Sequence, residues 1–277
     1  MKNVLQCGRF VLDLAQPKIM AIVNVTDDSF SGDGLHGQAQ AAIAQGLRML
    51  EAGADILDIG GESSRPGAAP VSLQQELDRV LPVIEGLRDC GVPLSVDTVK
   101  PQVMAAAVAA GADLINDIAA LRAPGALAAA AASGAAVCLM HMQGEPGTMQ
   151  ADPHYDDVVA EVAGFLAGRV AACEAAGIGR DRLVIDPGFG FGKTLEHNLT
   201  LLRRIGSFVD SGLPVLVGVS RKSMLGKITG RPVDERAYAG AAVALLAVER
   251  GAAIVRVHDV DATRDMLRVW AAVREDT

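Results

Sequence analysis

Eight short runs rich in Val, Ile and Leu alternate along the chain with longer, Ala-rich amphipathic stretches, and this rhythm is the feature that most narrows what it can fold into. The runs are Ile19–Asn24, Ile56–Gly60, Leu94–Val96, Leu114–Asn116, Ala136–Met140, Leu183–Asp186, Val215–Gly218 and Ile254–Val257. Each is followed by a helical segment, the pattern of βα units around a parallel sheet whose strands are covered on both faces. Stop signals such as Ala52-Gly53-Ala54, Ala110-Gly111-Ala112 and Arg250-Gly251-Ala252 precede several runs, where glycine suits the left-handed cap of the helix before. Eight repeats in 277 residues predict an α/β chain closed into a (β/α)8 TIM barrel, one domain over 1–277. Doubly wound sheets usually have fewer strands. Before the first unit, Val4–Leu14 carries Cys7-Gly8-Arg9 between apolar runs and predicts a short N-terminal β-hairpin over the barrel bottom. The tract Ala126–Ala136 predicts a helix running into the fifth strand.

Composition narrows the function. Lys and Arg total 25 against 33 Asp and Glu, so the chain lacks the basic surface that draws in nucleic acid, and any anion must be held locally. No apolar stretch has the length and continuity of a signal peptide core or a membrane span, which predicts a soluble, cytoplasmic protein with no membrane partner. Cys7, Cys90, Cys138 and Cys173 are far apart and read as buried structural thiols.

In a barrel of this kind the core is apolar and the chemistry sits at the C-terminal ends of the strands. Polar residues gather there: Asn24, Glu62 with Arg65, Asp97, Asn116 with Asp117, His141, Asp186, Ser220 to Ser223 with Lys222 among them, and Arg256 with His258. Any one of these could merely cap a helix, but eight together are hard to explain as caps. Asp and Asn suit the edge of a flat, nitrogen-rich heterocycle, and Lys222 can donate to a ring carbonyl or ring nitrogen. Arg65, Arg256 and His258 suit a diphosphate. Asn24 with His258 near that diphosphate suits Mg²⁺, which keeps several waters and needs few protein ligands when phosphate oxygens complete its shell.

Two tempting motifs fail. Pro187-Gly-Phe-Gly-Phe-Gly-Lys193-Thr194 resembles a phosphate loop, but Pro187 stands where the first Walker glycine belongs, and Lys193 stands at the third glycine of the dinucleotide fingerprint. Its glycines better serve a close approach of the backbone to a flat ligand, with Phe191 near the ring. His141, His154 and His197 lie on different units without the paired spacing of a zinc site, so they read as structural histidines.

Asn24-Val-Thr-Asp-Asp-Ser-Phe-Ser31, Gly60-Gly-Glu-Ser-Ser-Arg-Pro-Gly67, Ser95-Val-Asp-Thr98, Asn116-Asp-Ile118, Met140-His-Met142, Asp186-Pro-Gly-Phe-Gly-Phe-Gly-Lys193, Ser220-Arg-Lys-Ser223 and Arg256-Val-His-Asp259 occur in this order. Together they resemble the dihydropteroate synthase family over nearly the whole chain. The resemblance implies a TIM barrel, usually a homodimer and a sulfonamide target, that condenses (7,8-dihydropterin-6-yl)methyl diphosphate with p-aminobenzoate to give dihydropteroate and pyrophosphate. It implies that Asp97, Asn116, Asp186 and Lys222 hold the pterin, that Met140, Gly218 and Phe191 line its pocket, and that Arg256 bounds it. Asn24 matches the magnesium ligand, and Arg65, Arg256 and His258 match positions near the diphosphate. Phe30, Ser64, Pro66, Lys222 and Ser223 match the p-aminobenzoate site, which two loops, about Val25–Gly37 and Gly61–Ser72, complete. The implied mechanism is dissociative: the C–O bond to diphosphate breaks before the amine attacks. Asp97, Lys222, Arg256 and His258 are the residues implied in that chemistry. No activated Ser or Cys nucleophile is evident.

Two other readings compete. A methyltetrahydrofolate:corrinoid methyltransferase-like barrel needs no diphosphate subsite, whereas Ser220 to Ser223 and Arg256 with His258 supply one. A catalytically silent pterin-binding paralogue draws support only from Asp27, which replaces the usual proline of the family's first loop, with Gly32 before Asp33. Ser64 stands where Thr is usual, keeping the hydroxyl and losing a methyl. Asp27 frees a backbone angle that proline would fix and adds negative charge near an anionic ligand. Asp27→Pro is therefore expected to lower the Michaelis constant for p-aminobenzoate and to strengthen sulfonamide inhibition; unchanged steady-state constants would remove this role.

Overall fold

The computed structural model describes residues 4–25, 34–63, 70–145 and 147–274. Asp27, Phe30, Ser64, Arg65 and Pro66 lie outside them. Two short strands, β1 (Val4–Cys7) and β2 (Phe10–Asp13), pair antiparallel as the expected hairpin. Eight parallel strands follow: β3 (Lys18–Asn24), β4 (Ile56–Gly60), β5 (Leu94–Asp97), β6 (Leu114–Asp117), β7 (Ala136–Met140), β8 (Leu183–Asp186), β9 (Leu216–Val217) and β10 (Ile254–Val257). Their order is β8-β7-β6-β5-β4-β3-β10-β9, and a single parallel bridge from Ile185 to Val215 brings the two edges together into a nearly closed barrel. The helices are α1 (Gly34–Glu51), α2 (Leu73–Leu87), α3 (Pro101–Ala110), α4 (Ala126–Ala132), α5 (Val158–Ala175), α6 (Leu195–Arg203), α7 (Ile205–Val209), α8 (Ser223–Thr229), α9 (Ala237–Val248) and α10 (Val260–Arg274).

Local chemistry sets the boundaries. Ser72 and Gln75 form a capping box at the start of α2, Thr194 and His197 do the same for α6, and Asp157 caps α5 by accepting from Val159 and Ala160. Two elements are shorter than expected. β9 has two residues because Pro214 has no N–H to enter the ladder, leaving Val215 with one isolated bridge. The Ala126–Ala136 helix ends at Ala132: Ser133 turns extended, its hydroxyl donates to the Ala130 carbonyl at 2.8 Å, and Gly134 follows. Of the first expected loop, residues 34–37 belong to α1.

The larger core lies between strands and helices, with Val23, Leu57, Val96, Ile115, Leu139 and Val217 among the strand residues facing outward. Alternate residues face the barrel axis. At the bottom these are apolar, with Met20, Ile56, Leu114, Val184, Leu216 and Ile254 packed together, and the hairpin plugs them with Leu5 and Cys7. Arg9 locks the plug. Its backbone N–H donates to Asp113 Oδ1 at 3.0 Å, its guanidinium spans both Asp113 oxygens at 2.9 Å, and Asp113 also accepts from Leu94 N at 3.1 Å.

Asp113 is buried while Arg9 reaches solvent and can rehydrate. Asp113→Ala is thus expected to cost about 2 kcal/mol, the scale for stranding buried donors beside a partly exposed cation. A lowered urea midpoint with an unchanged slope is the expected result; an unchanged midpoint would show that the plug does not stabilise the barrel.

Candidate active site

Above the apolar floor the inward positions turn polar. Strand register sets Asn24 beside Gly60, Gly60 beside Asp97, Asp97 beside Asn116, and Met140 beside Asp186, so these side chains arrive at the C-terminal mouth at similar depth. Asp58 lies one inward step below Gly60 and is fully buried.

Arg256, from β10, reaches across to two carboxylates. Its Nε donates to Asp58 Oδ2 at 2.6 Å and its Nη2 to Asp97 Oδ2 at 2.7 Å. Asn116 Nδ2 also donates to Asp58 Oδ2, at 3.2 Å, and Ser95 Oγ donates to Asp58 Oδ1 at 2.5 Å. Burial raises the Asp97 pKa, Arg256 opposes that rise, and the Asp58 carboxylate reinforces it. Burial alone would lower the Arg256 pKa, but Asp58 and Asp97 outweigh it and the group rises.

Asp186 and Lys222 form the other side. Asp186 Oδ1 accepts from Gly188 N at 2.7 Å. Lys222 Nζ donates to the Phe189 carbonyl and stands 4.5 Å from the centre of the Phe191 ring. Burial brings Lys222 down to about 8, with Asp186 pulling it back up and Arg256 pushing it further down. Met140 packs with Ile118, Met142 and Met149, against which Val99 and Phe191 lie, giving an apolar wall. Gly218 leaves room for Arg256, whose Cβ and Cδ would sit 3.8 and 3.9 Å from any Cβ there.

The loops that carry these groups are tied by ionic side chains. Lys193 Nζ meets Gly188 O at 2.9 Å, Phe191 O at 3.0 Å and His141 Nδ1 at 2.9 Å, so three acceptors face its three protons. Burial lowers His141 to about 3, so the ring is neutral and accepts through Nδ1. The lysine that resembles a phosphate ligand is a loop tie. Only glycine serves at position 188, where φ is 71° and a Cβ would lie 1.8 Å from His141 O. Arg221, itself at φ 57°, grips Asp259 with Nη2 at 2.5 Å and Nε at 3.2 Å, while Arg236 Nη1 donates to the carbonyls of Arg221 and Lys222. His258 Nδ1 lies 3.1 Å from Ser220 Oγ, which also accepts the His258 backbone N–H at 3.2 Å.

Asp117 serves its own loop and not the mouth. Its oxygens accept from Ala119 N and Leu121 N, both at 2.7 Å, and burial lifts it to about 6 against those donors. Ala120 and Leu121 are held left-handed, at φ 53° and 56°, with Arg169 donating to both carbonyls. Ser223 opens α8 at the exposed rim. His197 accepts from Thr194 N through Nδ1 within its capping box.

The structure thus brings Asp97, Asn116 and Arg256 together through Asp58, and Asp186, Lys222 and Phe191 together opposite them. His258 and Ser223 stand at the rim, and Asn24 reaches the mouth at the end of β3, level with Gly60. Sequence reasoning missed Asp58, Ser95, Lys193 as a tie, and Asn198, which accepts from Gly190 N at 2.7 Å. The available signal was Asp58 itself, a carboxylate inside the apolar run Ile56–Gly60.

Residues 20–258 match the family described as pterin binding enzyme. The chain is 52% identical over 264 residues to the dihydropteroate synthase of Haemophilus influenzae, covering 94% of this chain and 95% of that protein. A structure of Xanthomonas albilineans dihydropteroate synthase with 4-aminobenzoic acid superposes with a TM-score of 0.94 at 53% identity, over all of both chains. Another from that organism, in complex with 7,8-dihydropteroate, gives 0.89 at 50% identity over 99% of each.

Proposed function

The chain belongs to the pterin-binding enzyme family as a dihydropteroate synthase of folate biosynthesis, a transferase, and from that premise we propose how its residues divide the reaction. The carrying observation is the floor of the mouth, where the carboxylates of Asp58, Asp97 and Asp186 are set beside Arg256 and Lys222. Carboxylates at the depth of the ring favour a ring that becomes positive in the reaction.

Asp97, Asn116, Asp186 and Lys222 hold the pterin edge, Met140 and Phe191 form the apolar wall beside it, and Gly218 with Arg256 closes the far side. The diphosphate is taken by Asn24, Arg65, Arg256 and His258, the positions that match it in the family. Arg256 already spends two nitrogens on carboxylates, so it acts on the diphosphate chiefly through its charge. Asn24 offers a hard amide oxygen beside side-chain-free Gly60, which fits a Mg²⁺ ion that takes its remaining ligands from phosphate and water. When bound, that ion neutralises charge on the departing diphosphate.

The C–O bond breaks with its electron pair leaving on diphosphate, and Asp97 stabilises the resulting ring cation. The p-aminobenzoate nitrogen, placed by Phe30, Ser64, Pro66, Lys222 and Ser223, then forms the C–N bond and loses a proton to water. We assign a homodimer through α9 and α10, which expose Tyr238, Leu246, Val269 and Val273. A cytoplasmic site of action is consistent with a net charge of −8 and with the absence, among the described residues, of any helix long and apolar enough to cross a membrane.

A pyrophosphate-release assay with chromatography of the product tests the reaction. Dihydropteroate should form only with both substrates and Mg²⁺, and Asp97→Asn should lower turnover about a hundredfold with pterin affinity changed far less. Equal losses in both would remove the cation-stabilising role.

Lys222 adds a pH dependence. Its pKa of about 8 lies below the ordinary lysine value, so the ammonium form is present below pH 8 and is lost above it. Pterin affinity should therefore weaken from pH 7 to 9.5, and Lys222→Met should bind weakly throughout without that slope; a slope surviving in the variant assigns it to another group.

A further inference from the structure

Asp58 is itself assigned no contact with substrate, yet it receives hydrogen bonds from three groups of the floor, two of which, Arg256 and Asn116, are assigned to the pterin. Ser95 Oγ donates to its Oδ1 at 2.5 Å, and Arg256 Nε and Asn116 Nδ2 donate to its Oδ2 at 2.6 and 3.2 Å. A carboxylate paired with a guanidinium has no proton to give. Asn116 must therefore turn its NH₂ toward Asp58, which leaves its carbonyl oxygen as the amide atom available to a ligand. Without Asp58 the amide could rotate and offer a donor just as well.

The direction of that one amide changes what the pocket can read. With Asn116 fixed, the ligand meets the Asn116 carbonyl oxygen, the Asp97 carboxylate and the Asp186 oxygen not used by Gly188 N. Lys222 is the donor on the other side. Such a surface asks for a ring edge rich in N–H groups, and a carbonyl placed on that edge would face oxygen against oxygen. We propose that Asp58 is a positioning residue that fixes the Asn116 amide, and with it Arg256, so that the site selects the amino-bearing edge of the pterin over an oxo-bearing one. This rests on the reading that the barrel mouth holds a pterin ring.

The test compares two probes by titration calorimetry: a 2-amino-4-oxopteridine-6-carboxylate and its 2,4-dioxo counterpart. The native protein should favour the amino probe by about a hundredfold, because the 2-oxo oxygen of the other would face acceptor oxygens where the amino group donates. In Asp58→Asn the preference should fall to about fivefold, since both amides can then reorient. A purely structural role would weaken both probes by the same factor and leave their ratio intact, and that result overturns the proposal. If Asp58→Asn does not fold, Ser95→Ala keeps the carboxylate but loosens it and should narrow the ratio about threefold; an unchanged ratio there also overturns it. A native protein that binds neither probe defeats the pterin reading itself, whereas equal selectivity in native and variant proteins defeats the role of Asp58 alone.

Discussion

The ion pairs from Arg256 to Asp58 and Asp97 tie three strands across the inside of the barrel, and the site is arranged around them. They are a cost to the fold as much as a gain. Removing a guanidinium and two carboxylates from water costs several kcal/mol per ion, and the attraction offsets this only when the remaining hydrogen-bonding capacity is met. Ser95 and Asn116 meet it for Asp58. An apolar trio of similar volume would stabilise a barrel at least as well, so the charges belong to the chemistry of the mouth. The dry layer of Met20, Ile56, Leu114 and Ile254 beneath excludes water and keeps their interaction strong.

The same economy governs the loops. Three of the described loops at the mouth are anchored by side chains that bond main-chain groups: Lys193 for the one after β8, Asp117 and Arg169 for the one after β6, Arg236 for the one after β9. Such ties can hold backbone that would not otherwise persist. Left-handed Ala120 and Leu121 each cost about 1 kcal/mol or more, and they survive because Asp117 binds their amide side while Arg169 binds their carbonyls.

Much of this was readable beforehand because barrel strands covered on both faces announce themselves as apolar runs, and glycine and proline mark where they stop. All eight expected runs coincide with strands to within a residue at either end, the shortest being β9, where Pro214 leaves Val215 outside the ladder. The polar residues at the strand ends were legible for the same reason. Their partners were not. Asp58 sits within a run that otherwise reads as core, and nothing local says that Arg256, 198 residues away, needs it. Lys193 looked like a phosphate ligand because glycines beside lysine suit either use; only the folded chain shows its protons spent on two carbonyls and a histidine.

Charge along the barrel axis also explains how a net acidic chain can handle a diphosphate. Carboxylates gather at the proposed depth of the ring while His258 lies at the rim, so in the proposed mode of binding the ligand's own polarity sets its orientation: ring inward, diphosphate outward. In the proposed reaction the ring turns from neutral to positive above the Asp97 carboxylate as the bond to diphosphate breaks. At about 5 Å and an effective dielectric of about 20, one such charge is worth about 3 kcal/mol, or roughly two orders of magnitude in rate. That benefit arises only as charge develops, because the neutral ring gains little from it. In the proposed reaction the floor therefore favours the transition state over the bound substrate.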